Sequence, residues 1–162
     1  NKADRILIGG VVANDMLKER GMDIGASIAN ENSKELLAGL DLNSPVLALP
    51  NDFVISENKI LDIGPETQKE YSEAISSASV VIWNGPMGLF EKPEFAHGTK
   101  AVAEAMVSSK ARKIIGGGDT IKAIDTLGLL GKFDFVSTGG GAMLACLAGE
   151  KLPGLGALDY YK

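Results

Sequence analysis

The sequence contains few of the residues that form disulfides, metal centres or nucleic-acid surfaces. Its 162 residues include one cysteine, Cys146, and one histidine, His97, so it offers neither an intramolecular disulfide nor a zinc site of the Cys/His type. The formal net charge is −5 and there is no basic tract, which argues against sequence-independent nucleic-acid binding because that needs clustered positive charge. No run of about 18 apolar residues suggests a membrane span. These absences favour a cytoplasmic domain that binds neither nucleic acid nor membrane.

Glycine, by contrast, is abundant, with 20 of the 162 positions against a usual share of about 7%. There is no Gly-x-y period, which excludes collagen, and apolar segments recur along the chain, which argues against disorder. The glycines are therefore expected at particular backbone positions of a globular fold.

Short apolar runs alternate with stretches whose apolar residues recur every three or four positions. The runs of strand length are 5–8, 46–49, 80–83, 113–115 and 133–136, and the helical stretches are 12–20, 33–40, 65–77, 99–108, 120–127 and 142–147. This alternation predicts an α/β fold over one domain, residues 1–162: a doubly wound, Rossmann-like parallel sheet with helices on both faces, in three α/β/α layers. Residues 53–56 and 60–63 predict an antiparallel hairpin.

Four of the predicted strands end in a glycine-bearing turn that is expected to open a helix. The turns are 9–10, 84–88, 116–118 and 139–141. Because the carboxyl ends of parallel strands lie at one edge of a sheet, the four turns are expected to meet in a single crevice, where α/β sheets bind ligands.

The two glycine triplets, 116–118 and 139–141, favour phosphate binding. Without a Cβ, backbone N–H groups can approach an anion closely, and the following helix adds about half a positive charge at its N-terminus. A tight turn needs one glycine and not three, although packing explains a single Gly-Gly pair. Asp119 and Thr120 follow the first triplet, where they are either a magnesium ligand and a phosphate donor or ordinary residues of a helix start. Neither a P-loop nor a G-x-G-x-x-G motif is present.

Taken together, these motifs resemble those of the phosphoglycerate kinase family. The matching stretches are 83–91, 95–99, 116–120, 137–142 and 152–154. They correspond to most of the C-terminal, nucleotide-binding domain of that family, without the N-terminal domain that binds phosphoglycerate. The resemblance implies reversible phosphoryl transfer between 1,3-bisphosphoglycerate and ADP, a glycolytic reaction, with ATP or ADP and Mg²⁺ bound to this half of the site. It also implies a monomeric parent enzyme and a fragment that is inactive alone.

The resemblance assigns a nucleotide-binding role to a set of residues in the glycine turns. They are Gly9, Gly10 and Leu89 at the adenine, Asn84, Pro86 and Gly88 in the ribose and phosphate loop, Glu91 at the ribose hydroxyls, and Gly117, Gly118 and Thr120 at the phosphates, with Asp119 holding Mg²⁺. The phosphoryl group in transfer is expected to face Gly118 and the second triplet, Gly139, Gly140 and Gly141.

Some residues differ from the family pattern or lie outside it. Val11 follows the first glycine pair where the family has a small residue, and no lysine or arginine lies within the four turns. A nucleotide-binding module without catalysis is therefore the alternative. Cys146, in an apolar stretch, is expected in the core. Trp83 is expected in the core or at a pocket wall.

Overall fold

A computed structural model describes residues 3–161 as seven strands and seven helices. The strands are β1 (Ile6–Leu7), β2 (Leu47–Ala48), β3 (Phe53–Ser56), β4 (Lys59–Ile63), β5 (Val80–Asn84), β6 (Arg112–Gly116) and β7 (Phe135–Ser137). The helices are α1 (Gly10–Glu19), α2 (Ser33–Leu36), α3 (Pro65–Ser77), α4 (His97–Ser108), α5 (Gly118–Thr126), α6 (Gly140–Ala148) and α7 (Pro153–Ala157).

The strands form parallel sheets flanked by helices, which confirms the predicted three-layer, Rossmann-like α/β/α fold. β1 pairs with β2, and β5, β6 and β7 form a three-stranded sheet in that order. β3 and β4 form the predicted antiparallel hairpin. Over residues 3–161 the parallel strands are divided between these two ladders and do not form one continuous ladder.

The turn after β5 does not open a helix, so the prediction for this turn is wrong. Gly85 has φ +99°, and Pro86 lacks an N–H and disfavours helical geometry in the residue before it. The chain instead passes through a loop and a 3₁₀ turn at Pro93–Phe95 before α4 begins at His97. We call residues 85–96 the β5 loop.

Two other elements differ from the sequence prediction. The helix expected over 33–40 ends at Leu36, and Leu36 and Leu40 are exposed, so the apolar spacing there has no surface to pack against. The short helix α7 was not predicted, although Pro153 at its first turn was a signal for it.

The core is formed by α3, α4 and α5 together with residues of β2, β4, β5 and β6. Its fully buried members include Tyr71, Met106, Ile115 and Ile124. Trp83, 4% exposed, joins them from β5, which confirms its predicted core position.

The apolar surface of α6 is left open over the described part of the chain. Leu144 and Leu147 are 51% and 40% exposed, and Cys146 is also exposed. The prediction of a core position for Cys146 is therefore wrong, because an apolar helix is buried only where another element covers it. Of the helices within residues 3–161, none has both the length and the apolar character needed to cross a bilayer.

Candidate functional site

The register of the three-stranded sheet brings three glycine turns to the same level. Asn84 of β5 is opposite Gly116 of β6, which is opposite Ser137 of β7. Because the strands are parallel, the chain leaves all three at one edge of the sheet. The turns that follow therefore emerge side by side.

Direct contacts join these three turns. The Asn84 Nδ2 amide donates to the carbonyl of Gly140 at 3.2 Å, and the Gly85 N–H donates to Thr120 Oγ1 at 2.7 Å. A Cβ added to Gly140 would lie 2.6 Å from the Cα of Gly117. The two glycine triplets are thus packed backbone against backbone, an approach that a side chain at Gly140 would prevent.

The first glycine pair reaches the same place from the other parallel sheet. The Gly10 N–H donates to the carbonyl of Met87 at 3.2 Å, and a Cβ on Gly9 would lie 2.5 Å from the sulfur of Met87. The predicted meeting of all four glycine turns is therefore confirmed.

Three helices begin at this crevice with glycine as the N-cap residue. α1 follows Gly9, α5 follows Gly117 and α6 follows Gly139, and none of these three N-cap residues has a side chain that could cap its helix. Gly118 and Gly141 are exposed, and a Cβ on either would meet nothing within 4 Å. The main-chain N–H groups of α5 and α6 therefore start beside open space, and the positive ends of two helix dipoles lie there. This geometry suits an anion.

Asp119 and Thr120, adjacent in the first turn of α5, have different surroundings. Asp119 is exposed, and the chain over residues 3–161 gives it no hydrogen-bond or ion-pair partner. Thr120 is fully buried, with its oxygen accepting the Gly85 N–H. The phosphate contact of Thr120 stays a prediction, and it requires this buried hydroxyl to be uncovered.

No group of three or more His, Cys, Asp or Glu side chains able to hold a metal ion forms within the described residues. A magnesium ion at Asp119 therefore needs further ligands from a bound molecule, as is usual for magnesium held with nucleotide phosphates. The exposed, unpaired carboxylate of Asp119 fits that arrangement.

The β5 loop carries the other predicted nucleotide residues. Its members Pro86 and Met87 lie beside the first glycine turn, since Met87 accepts the Gly10 N–H and a Cβ on Gly10 would lie 3.3 Å from the carbonyl oxygen of Pro86. Gly88, Leu89 and Glu91 follow them along the chain. Leu89 and Glu91 are exposed. Their binding roles stay predictions.

Lys122 brings a positive charge from α5 to the β5 loop. Its Nζ lies 5.8 Å from the centre of the Phe90 ring, within the range of a cation–π interaction. The sequence has no lysine or arginine within the four turns, and Lys122, the nearest one, is predicted to be solvated. The structure leaves it exposed, beside Phe90.

Asp62 of β4 is a residue that sequence reasoning missed. It is 1% exposed, and its carboxylate accepts the N–H groups of Ile63 and Gly98 at 2.9 and 2.7 Å. Burial raises the pKa of Asp62 above its usual value, against these two hydrogen bonds and the charge of His97, which lower it. The sequence signal was a single carboxylate within the otherwise apolar run 60–63.

Comparisons with known proteins agree with the motif resemblance. Residues 1–150 match the family model of phosphoglycerate kinase. The phosphoglycerate kinase of Streptomyces avermitilis is 41% identical over 187 positions, covering 98% of this chain and 46% of the relative. That of Solibacter usitatus is 45% identical over 175 positions, covering 96% of this chain and 44% of the relative.

A solved structure agrees as well. The phosphoglycerate kinase of Coxiella burnetii superposes with a TM-score of 0.81 at 33% identity, covering 91% of this chain and 44% of that one. The chain thus spans less than half the length of the relatives it matches. The aligned stretch in Streptomyces avermitilis, at 187 positions, is also longer than the 162 residues of this chain.

Proposed function

Because this chain belongs to the phosphoglycerate kinase family, we propose that it forms the nucleotide-binding half of a phosphoglycerate kinase active site. The reaction is reversible phosphoryl transfer between 1,3-bisphosphoglycerate and ADP, giving 3-phosphoglycerate and ATP. The observation that carries the proposal is the contact between the two glycine triplets at the starts of α5 and α6, where Gly118 and Gly141 lie beside open space. A cytoplasmic, monomeric parent enzyme belongs to the same proposal.

The crevice supplies what phosphoryl transfer chiefly demands, which is positioning and electrostatic stabilisation. The N–H groups at the start of α5, with Gly117, Gly118 and Thr120, bind the nucleotide phosphates. Those at the start of α6, with Gly139, Gly140 and Gly141, face the phosphoryl group in transfer. The N–H donors of both sets are held by the main chain, so they need little rearrangement when charge develops, whereas the Thr120 hydroxyl must first be uncovered.

The nucleotide's base and ribose lie along the first turn and the β5 loop. Gly9, Gly10 and Leu89 form the adenine side, and Glu91 accepts hydrogen bonds from the ribose hydroxyls. Asn84, Pro86 and Gly88 shape the path from ribose to phosphates. The exposed side chains of Leu89 and Glu91 support this arrangement, because neither is committed to the core.

Mg²⁺, when bound, neutralises phosphate charge and orients the phosphate oxygens. Asp119 is the side chain proposed to hold it, together with those oxygens. The remainder of the reaction needs a site for phosphoglycerate and cationic groups at the transferring phosphate, and the four turns contain no lysine or arginine. This chain alone is therefore proposed to bind nucleotide without turning it over.

Calorimetric titration of the chain with ADP, with and without Mg²⁺, tests the proposal. Wild-type protein is expected to bind Mg·ADP, and Asp119→Asn to weaken that binding about tenfold or more, equivalent to about 1.4 kcal/mol, with a smaller effect when Mg²⁺ is left out. Asp125→Asn is the matched control, because Asp125 is an exposed carboxylate on the same helix; its affinity stays at the wild-type value.

Failure of wild-type protein to bind Mg·ADP would contradict the proposed function. Equal losses in Asp119→Asn and Asp125→Asn would remove Asp119 from the metal site and indicate a general effect of charge.

A further inference from the structure

Asp62 is a buried carboxylate at the start of a helix to which it does not belong. It lies in β4, and its Oδ2 accepts the N–H of Gly98, the second residue of α4, at 2.7 Å. The N-cap residue of α4, Ala96, makes no side-chain hydrogen bond to that helix. A negative charge at a helix N-terminus interacts favourably with the helix dipole. Asp62 therefore caps α4 from the β3–β4 hairpin.

Two glycines leave the space that the Asp62 carboxylate occupies. A Cβ built on Gly88, in the β5 loop, would overlap Asp62 Oδ1, and so would a Cβ on Gly98. The loop and the helix start thus both approach the same carboxylate more closely than any other residue type permits. Asp62 lies between the two ends of the segment 88–98.

The neighbouring residue of β4 holds the same loop through its main chain. Leu61 accepts the N–H of Leu89 at 2.8 Å. From the helix side, Thr99 Oγ1 accepts the N–H of Met87 at 3.0 Å. Residues 87–89 are therefore fixed between β4 and the first turn of α4, and Asp62 is the group that joins β4 to that turn.

We propose that Asp62 is a positioning residue for nucleotide binding, which sets the β5 loop against the crevice by joining β4 to α4. The inference rests on the proposed function, because the loop carries Leu89 and Glu91, the residues assigned to adenine and ribose. Asp62 does not touch the nucleotide. It affects nucleotide binding by fixing the positions of Gly88 and Leu89.

Asp62→Asn tests this role, because the substitution keeps the shape of the side chain but replaces one acceptor oxygen with an N–H₂ group. The new amide N–H₂ group then faces the main-chain N–H of Ile63 or Gly98, and because both groups are donors that hydrogen bond is lost. Two measurements are made, native-state hydrogen exchange of the backbone amides and the affinity for Mg·ADP. Each is compared with wild-type protein under conditions where both proteins are fully folded.

Asp52→Asn is the matched control. Asp52 lies next to β3 on the same hairpin, and its carboxylate accepts the N–H groups of Glu66 and Thr67 at 2.9 and 2.8 Å at the start of α3. It therefore performs the same kind of capping at a helix that does not follow the β5 loop.

In Asp62→Asn the amides of Leu89 and Gly98 are expected to exchange about tenfold faster or more, beyond any change in global unfolding, and Mg·ADP affinity to fall about tenfold. In Asp52→Asn faster exchange is confined to Glu66 and Thr67, and the affinity stays at the wild-type value. Unchanged affinity in Asp62→Asn, or an equal loss in both variants, would overturn the proposal.

Two further results separate this inference from the proposed function. If wild-type protein does not bind Mg·ADP, the proposed function fails, while the exchange rates of Leu89 and Gly98 still decide whether Asp62 holds the loop. If Asp62→Asn does not fold, hydrogen exchange of the wild-type protein is measured instead. The amides of Ile63, Leu89 and Gly98 are then expected to exchange with the same opening free energy. A lower opening free energy for Leu89 and Gly98 than for Ile63 would overturn the role of Asp62.

Discussion

Gly140 and Gly141 are neighbours in one glycine triplet, yet they have different surroundings. A Cβ at Gly140 would lie 2.6 Å from the Cα and 2.8 Å from the N of Gly117, whereas a Cβ at Gly141 would meet nothing within 4 Å. Both belong to the first turn of α6. The triplet therefore combines a glycine required for packing with one whose site is open.

Gly140→Ala is expected to lower the free energy of unfolding by about 1–3 kcal/mol, because the new methyl group meets main-chain atoms of Gly117 that cannot rotate away. Gly141→Ala is expected to leave it unchanged or to raise it by up to about 1 kcal/mol, because alanine favours the helix more than glycine does. Urea unfolding followed by circular dichroism measures both values. Equal stabilities in the two variants would contradict the packing of the triplets.

The residues that sequence reasoning found and missed differ in how far their contacts lie along the chain. Local sequence was enough to find the glycine turns, Asp119 and Thr120, because each follows a predicted strand directly. Asp62 and Lys122 act on partners from other elements, Gly98 and Phe90. The sequence near Asp62 does not indicate which helix its carboxylate caps.

Among the elements, α3 holds the ends of β1 and β2 in place through Tyr71. This side chain is fully buried, and its hydroxyl lies 2.8 Å from the carbonyl oxygens of Ile8 and Ala48, to which it donates. Burial raises the pKa of Tyr71, so the hydroxyl keeps its proton throughout the usual pH range. Because Ile8 precedes Gly9, α3 thereby also fixes where the first glycine turn begins.

Tyr71→Phe is expected to lower the free energy of unfolding by about 0.5–1.5 kcal/mol, because the carbonyls of Ile8 and Ala48 lose the hydroxyl that they share, while Ala48 still accepts the Ile8 N–H. Tyr160→Phe is the control, since Tyr160 is 70% exposed, and it is expected to change stability by less than about 0.5 kcal/mol. Chemical unfolding of both variants provides the comparison. A loss in Tyr71→Phe no larger than that in Tyr160→Phe would show that the hydroxyl does not hold the strands.

Element type followed from the sequence more readily than element bounds. Apolar periodicity identified the strands, the hairpin and the long helices, because each depends on a pattern within the element itself. The start of α4 could not be found in this way. Its first turn is capped by Asp62, a residue of β4.

At the scale of the whole molecule, the four turns form one crevice although their strands belong to two parallel ladders. The sequence predicted the convergence because parallel strands end at one edge. It did not predict the division of the ladders, which depends on pairing between distant strands. The chain covers 46% and 44% of the length of the relatives from Streptomyces avermitilis and Solibacter usitatus, so the crevice belongs to a stretch that corresponds to less than half of each relative.

A coupled assay with Mg·ATP and 3-phosphoglycerate is therefore expected to show no turnover above background for this chain alone. Helix starts contribute about 0.3–1 kcal/mol each to anion binding, which is small beside the several kcal/mol that cationic groups supply at a transferring phosphate. Adding an active phosphoglycerate kinase to the same mixture confirms that the assay works. Turnover at the rate of that enzyme by this chain would contradict the expectation.

The row formed by Asn84, Gly116 and Ser137 also restricts how this chain can change in length during evolution. Side chains alternate between the two faces of a strand, so inserting or deleting one residue before any member of the row would turn that strand's side chains over and displace its turn from the other two. Insertions and deletions are tolerated in the connections instead. The extra positions aligned in the longer relatives are therefore compatible with this sheet only where they avoid its three strands.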